Sequence, residues 1–156
     1  MEVKFHHLRT LIHRPCLCLE SLHFNELNAV TSNWAANWDH QASQQAEAVC
    51  ITEARETIQM LDQVMTKQSL LWDFPWWQMI SCLMCAQSVI MISSIIYPHH
   101  PDSSGLHADA ETGYRVLEAL SNRSASAERC LKMIKIIRQL ETNLKSSGMA
   151  LVFCSN

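Results

Sequence analysis

One segment of this 156-residue chain carries no charged side chain, and it constrains the fold more than any other feature. Between Phe74 and His99 there is no Asp, Glu, Lys or Arg. Its inner part, residues 79–97 (MISCLMCAQSVIMISSIIY), comes close to the length of about 20 residues that a helix needs to cross a bilayer. Aromatic residues flank it as an interfacial belt would: Trp72, Trp76, Trp77 and Tyr97. The segment therefore has two interpretations, a membrane span and the central helix of a helical domain.

Polar residues inside this segment and charges outside it bear on that choice. Hydroxyl and amide side chains interrupt it at Ser81, Gln87, Ser88, Ser93 and Ser94. Residues 98–109 contain no Lys or Arg, and the nearest cation upstream is Lys67. A helix that is apolar on nearly all sides is also typical of a domain core, where neighbouring helices cover every face. Physical chemistry alone leaves the two interpretations nearly balanced.

The composition favours helices and excludes a disordered tail. The chain has 3 Gly and 4 Pro, whereas β-sandwiches and barrels need many turns rich in these residues. Hydrophobic residues make up 48% and charged residues 17%, which excludes a disordered acidic or basic tail. Twelve Lys and Arg against fifteen Asp and Glu give a net charge of -3, which argues against nucleic-acid binding driven by overall charge. The length corresponds to one domain.

Apolar residues at helical spacing predict an all-α domain of about five helices packed around the uncharged one. The first helix contains the apolar residues Phe5, Leu8, Leu11 and Ile12, and Pro15 stops it because the residue before a proline avoids the helical region. Residues 16–41 are less periodic and are interpreted as a loop with a short helix. Residues 43–68 form the clearest helix, and its apolar stripe consists of Cys50, Ala54, Ile58, Leu61 and Met65. Glu47, Glu53 and Arg55 are expected off this stripe.

The remaining helices follow a break at residues 98–105. The first of them has a stripe formed by Leu106, Ala110, Gly113, Leu117 and Leu120, and the last has one formed by Leu131, Ile134, Ile137, Leu140 and Leu144. Ser124 is predicted to cap the start of the last helix, and Gly148 to follow its end. Glu128 and Lys132 are spaced for a surface ion pair.

The cysteines are interpreted as buried, reduced thiols. Seven is an odd number, and no apolar segment follows the charged start of the chain, so no secretory signal is expected. Cys82 and Cys85 form a C-x-x-C pair in the middle of an apolar helix, without the second pair that a structural zinc site requires. Core packing is therefore the expected role.

Catalytic and metal-binding motifs are absent from the sequence. His6 and His13 lie seven residues apart on one helix, but no carboxylate or H-E-x-x-H pattern completes a metal site. No nucleophile motif, phosphate loop or dinucleotide fingerprint occurs. We expect no enzymatic activity, no bound metal and no cofactor in this chain.

Two further clusters have a structural and a functional interpretation. The last helix carries Arg129, Lys132, Lys135, Arg138 and Lys145. A solvated face is favoured over a surface for nucleic acid or an acidic partner, since the stacking aromatics of single-strand binders are missing there. The Trp76–Trp77 pair is expected to supply a large core anchor, although one ring could line a small-molecule pocket.

Five pieces of the chain resemble, in order, the fungal-specific transcription factor domain, which is the middle homology region of fungal binuclear zinc-cluster transcription factors. They are residues 5–15 (FHHLRTLIHRP), 50–58 (CITEARETI), 74–77 (FPWW), 115–121 (RVLEALS) and 127–131 (AERCL). The positions that match the family pattern as structural residues are His6, Arg9, His13, Arg14, Pro15, Ala54, Arg55, Pro75, Trp76 and Trp77.

The resemblance implies an interior helix after Pro75-Trp76-Trp77 and a nuclear role in transcription regulation. It divides the chain into a partial regulatory domain, residues 1–148, and a C-terminal tail, residues 149–156. A protein partner or a homodimer in transcription is the implied mode of association, without a membrane. The alternative remains a small single-span membrane protein with its span at about residues 76–97 and its N-terminal side in the cytoplasm.

The chain also departs from the family pattern. The six-cysteine zinc cluster that reads DNA, with its C-x₂-C-x₆-C first half, is missing, and residues 16–41 match poorly. Zinc binding and sequence-specific DNA binding are therefore not expected here. Because the family's upstream helices are also missing, apolar surface is expected to be exposed.

Overall fold

The stretches with helical apolar spacing form helices in the computed structural model, which describes residues 2–18, 40–67, 75–97 and 101–146. In chain order the helices are α1 (Glu2–His13), a short 3₁₀ helix (Arg14–Cys18), α2 (His40–Thr66), α3 (Trp76–Ile96), α4 (Ser103–Ser121) and α5 (Ala125–Ser146). No strand forms within these ranges, so the predicted all-α class is confirmed. The predicted loop at residues 16–41 falls mostly outside the described ranges, as does Gly148.

The uncharged helix α3 is central, as predicted. It packs against α1, α2 and α4 and more sparsely against α5. Met79, Leu83, Val89 and Ile90 are completely buried along its length. Residues Trp77–Ile96 have a mean hydropathy of 2.0, so this helix is long and apolar enough to cross a membrane, a test that core helices of soluble proteins also pass. Just over half of that segment, 56%, is buried among the other helices.

Helix α2 confirms its predicted stripe and buries more than that stripe. Cys50, Ala54, Ile58 and Leu61 are fully buried against the neighbouring helices. Glu47 and Glu53, which were expected off this stripe, are buried as well. Helix α2 contacts α1, α3 and α4, so neighbouring helices also cover positions beside the stripe.

Helix ends follow the sequence signals. The 3₁₀ helix carries the chain through Pro15 after α1 ends at His13. The carbonyl of Pro75 accepts the N–H groups of Gln78, at 2.9 Å, and Met79, at 3.2 Å, which starts α3. The Ser124 hydroxyl accepts the Ala127 N–H at 3.4 Å, so the predicted cap of α5 is confirmed.

Apolar residues are exposed on α1 and at the start of α3. On α1 the outward side consists of Phe5, Leu8, Leu11 and Ile12, while Val3 and Thr10 face the core. Trp77 is 63% exposed, so the expectation of a large core anchor is wrong at this position, and the side chain of Trp76 lies outside what the structure describes. Trp77 therefore lies on the solvent-facing side of the first turn of α3.

Helix α5 is apolar on two sides. Leu131, Ile134 and the half-buried Ile137 face the other helices, as predicted. Leu140 was also predicted to be buried, but it is 56% exposed and aligns with Met133 and Ile136 on the outer side. The prediction failed there because Leu140 shares the outer side of α5 with Met133, which it follows by seven residues, and not the side of Leu131 and Ile134.

Candidate functional site

A buried carboxylate joins α1 to α2. Glu53 is almost completely buried, and its side chain meets two residues from α1: His6 Nδ1 lies 2.5 Å from Oε2, and Arg9 Nη1 lies 2.6 Å from Oε1. Both partners belong to the set picked out by resemblance. The Arg9 guanidinium also lies 5.5 Å from the centre of the Phe5 ring. This cluster fixes the position of α1, because a buried carboxylate is tolerated only with charged or hydrogen-bonding partners.

A second ion-pair cluster joins α2 to α4. Arg55 donates from Nε to Asp109 at 2.5 Å and from Nη1 to Asp102, the residue just before α4. Gln59 also donates to Asp109, at 3.3 Å. Burial opposes the charge of Arg55, but its hydrogen bonds to Asp102 and Asp109 outweigh this and raise the pKa of the guanidinium. Arg55 thus holds the beginning of α4 against α2.

The other residues picked out by resemblance lie apart from these clusters. Ala54 is fully buried in the stripe of α2. His13 is half-buried at the end of α1, and Arg14 and Pro15 are exposed on the 3₁₀ helix. Pro75 is half-buried before α3. The ten residues therefore do not converge on one reactive centre among the parts of the chain that the structure describes.

The described thiols near the core are protected rather than reactive. Burial raises the pKa of Cys50 to about 12 and that of Cys82 to about 11, and it also raises the pKa values of Cys16 and Cys85. The Cys50 thiol donates to the Thr10 carbonyl at 3.6 Å. Thiols in this state are poor nucleophiles and poor metal ligands, because both roles require the thiolate.

Histidines do not assemble into a ligand set in the described ranges. No group of three His, Cys, Asp or Glu side chains there is arranged to hold a metal ion. The Nδ1 of His6 is engaged by Glu53. Burial lowers the pKa of His7, whose Nδ1 lies buried without a hydrogen-bond partner in the described part of the chain.

A cleft of about 590 Å³ lies between the second half of α3, α4 and the second half of α5. Its lining consists of Met91, Ser94, His107, Ala110, Arg138, Gln139, Glu141, Thr142 and Asn143. The Arg138 guanidinium pairs with Glu111 and lies 4.8 Å from the centre of the Tyr114 ring, so it is committed to α4. The cleft is at the opposite end of α3 from Trp77, where a small-molecule pocket was considered.

Sequence reasoning missed the acidic partners in both clusters. Glu53 follows Cys50 by three residues and Asp109 precedes Ala110, so both lie beside predicted core positions, and this spacing was an available signal. The sequence did not indicate which residues these acids pair with, since His6 and Glu53 are 47 residues apart and Arg55 and Asp109 are 54 apart.

Three comparisons with known proteins found no match to this chain. No family model matches the sequence, and no curated protein or solved structure shows significant similarity to it.

Proposed function

We propose that this chain is an all-α regulatory module of the fungal zinc-cluster type of transcription factor and that it acts in the nucleus. The module, as proposed, has no catalytic activity and needs no metal or cofactor. It acts through contacts with other proteins. The regulatory domain corresponds to residues 1–148.

The observation that carries the proposal is that three of the ten resemblance residues, His6, Arg9 and Arg55, lie at helix junctions. His6 and Arg9 meet Glu53 between α1 and α2, and Arg55 meets Asp102 and Asp109 between α2 and α4. Residues that serve folding are expected to bridge helices in this way, whereas the residues of a catalytic motif would converge on a cleft. The exposed apolar sides of α1 and α5 supply surface for protein contacts.

Tethering tests the regulatory role. The chain is fused to a bacterial repressor's DNA-binding domain and expressed in fungal cells with a reporter that carries the matching operator. We expect the fusion to enter the nucleus and to change reporter output by at least about threefold relative to the DNA-binding domain alone, a free-energy equivalent of about 0.6 kcal/mol. A nuclear, folded fusion with unchanged output contradicts the proposal.

Two variants of α2 separate the folded module from a nonspecific effect of the fusion. Glu53→Ala removes the buried partner of His6 and Arg9 and should abolish the reporter change together with the fold. Glu56→Ala alters an exposed acid on the same helix and should leave the change intact. Equal effects of the two variants would contradict a role for the folded domain.

The membrane alternative is favoured by one observation, the length and hydropathy of α3. Against it, Gln87 lies at the middle of α3, is buried and donates to the Ala110 carbonyl of α4 at 3.0 Å, a contact that a lipid-facing span would lack. Alkaline carbonate extraction of expressing cells separates the two functions. We expect the chain in the supernatant, and retention in the membrane pellet would favour the single-span protein.

A further inference from the structure

We draw no further inference here: the strongest candidate, the exposed apolar patch that Phe5, Leu8, Leu11 and Ile12 form on the outer side of α1, carries nothing because nothing in the described part of the structure shows what covers it.

Discussion

Glu53 is one buried side chain that connects two helices, α1 and α2. Its side chain is only a few per cent exposed, yet it ends in a carboxyl group. Two side chains from α1, those of His6 and Arg9, pair with this group. A buried ion pair is weak evidence for high stability, because desolvation offsets much of the attraction. Losing one partner is costly, since it leaves the other buried without compensation.

Glu53→Gln should lower the free energy of unfolding by about 1.5–3 kcal/mol, because the amide keeps the shape of the side chain but loses its charge-assisted hydrogen bonds. Urea denaturation measures this loss. Glu56→Gln, at an exposed position of α2, is the control and should stay within about 0.5 kcal/mol. Similar values for both variants would show that the cluster does not hold α1 in place.

Buried thiols give a chemical readout of the same core. Among the five thiols whose side chains the structure describes, we expect iodoacetamide at about pH 8 to alkylate Cys130 first, because this thiol on α5 is only half-buried. Cys50 and Cys82, whose pKa values are raised to about 12 and about 11 by burial, should react only after unfolding in urea. Mass spectrometry of the peptides assigns each site. Rapid modification of Cys50 in the native protein would contradict the packing of α2 against α3.

At the scale of elements, α3 and α4 approach each other closely at Gly113. A Cβ added there would overlap the Oε1 of Gln87 and would lie 3.4 Å from the Ile58 side chain. Gln87 has little room to give way, because it is buried and donates to the Ala110 carbonyl. The glycine in the predicted stripe of α4 is thus a packing requirement between two helices.

Gly113→Ala should therefore destabilise the protein by about 1–3 kcal/mol through overpacking. In an open helix the same change stabilises by roughly 0.5–1 kcal/mol, so the sign of the effect is informative. Thermal or urea unfolding measures it. In a Gln87→Ala background the penalty should disappear, and a stabilising effect of Gly113→Ala alone would exclude the close approach.

The spacing of apolar residues along each helix explains which helix faces could be predicted. The stripes of α2 and α4 are confirmed because each has a single strong period. Helix α5 has two apolar sides, and periodicity alone does not tell which one a neighbour covers. Leu140 was assigned to the core for this reason and lies outside it.

At the scale of the whole molecule, charge and surface govern its partners. The net charge of -3 gives the chain no overall attraction to a phosphate backbone, and Arg55 and Arg138 are already in ion pairs with carboxylates. We expect the chain alone to bind DNA weakly and without sequence preference. A gel-shift assay at about 200 mM salt should show no stable complex, since nonspecific binding falls steeply with salt. A complex that survives and discriminates between sites would contradict this.

The sequence by itself determined the helical class, the five helices and the stripes of α2 and α4 among the described residues, and it limited α3 to a central helix or a membrane span. These follow from local rules, since apolar spacing, proline positions and a charge-free run act within a few residues of each other. Only the tertiary structure decided that Glu53 is buried between His6 and Arg9, that Arg55 reaches Asp102 and Asp109, and that Leu140 and Trp77 face outward. Such outcomes depend on which helices become neighbours across long stretches of chain, such as the 47 positions between His6 and Glu53, and no local pattern contains that information.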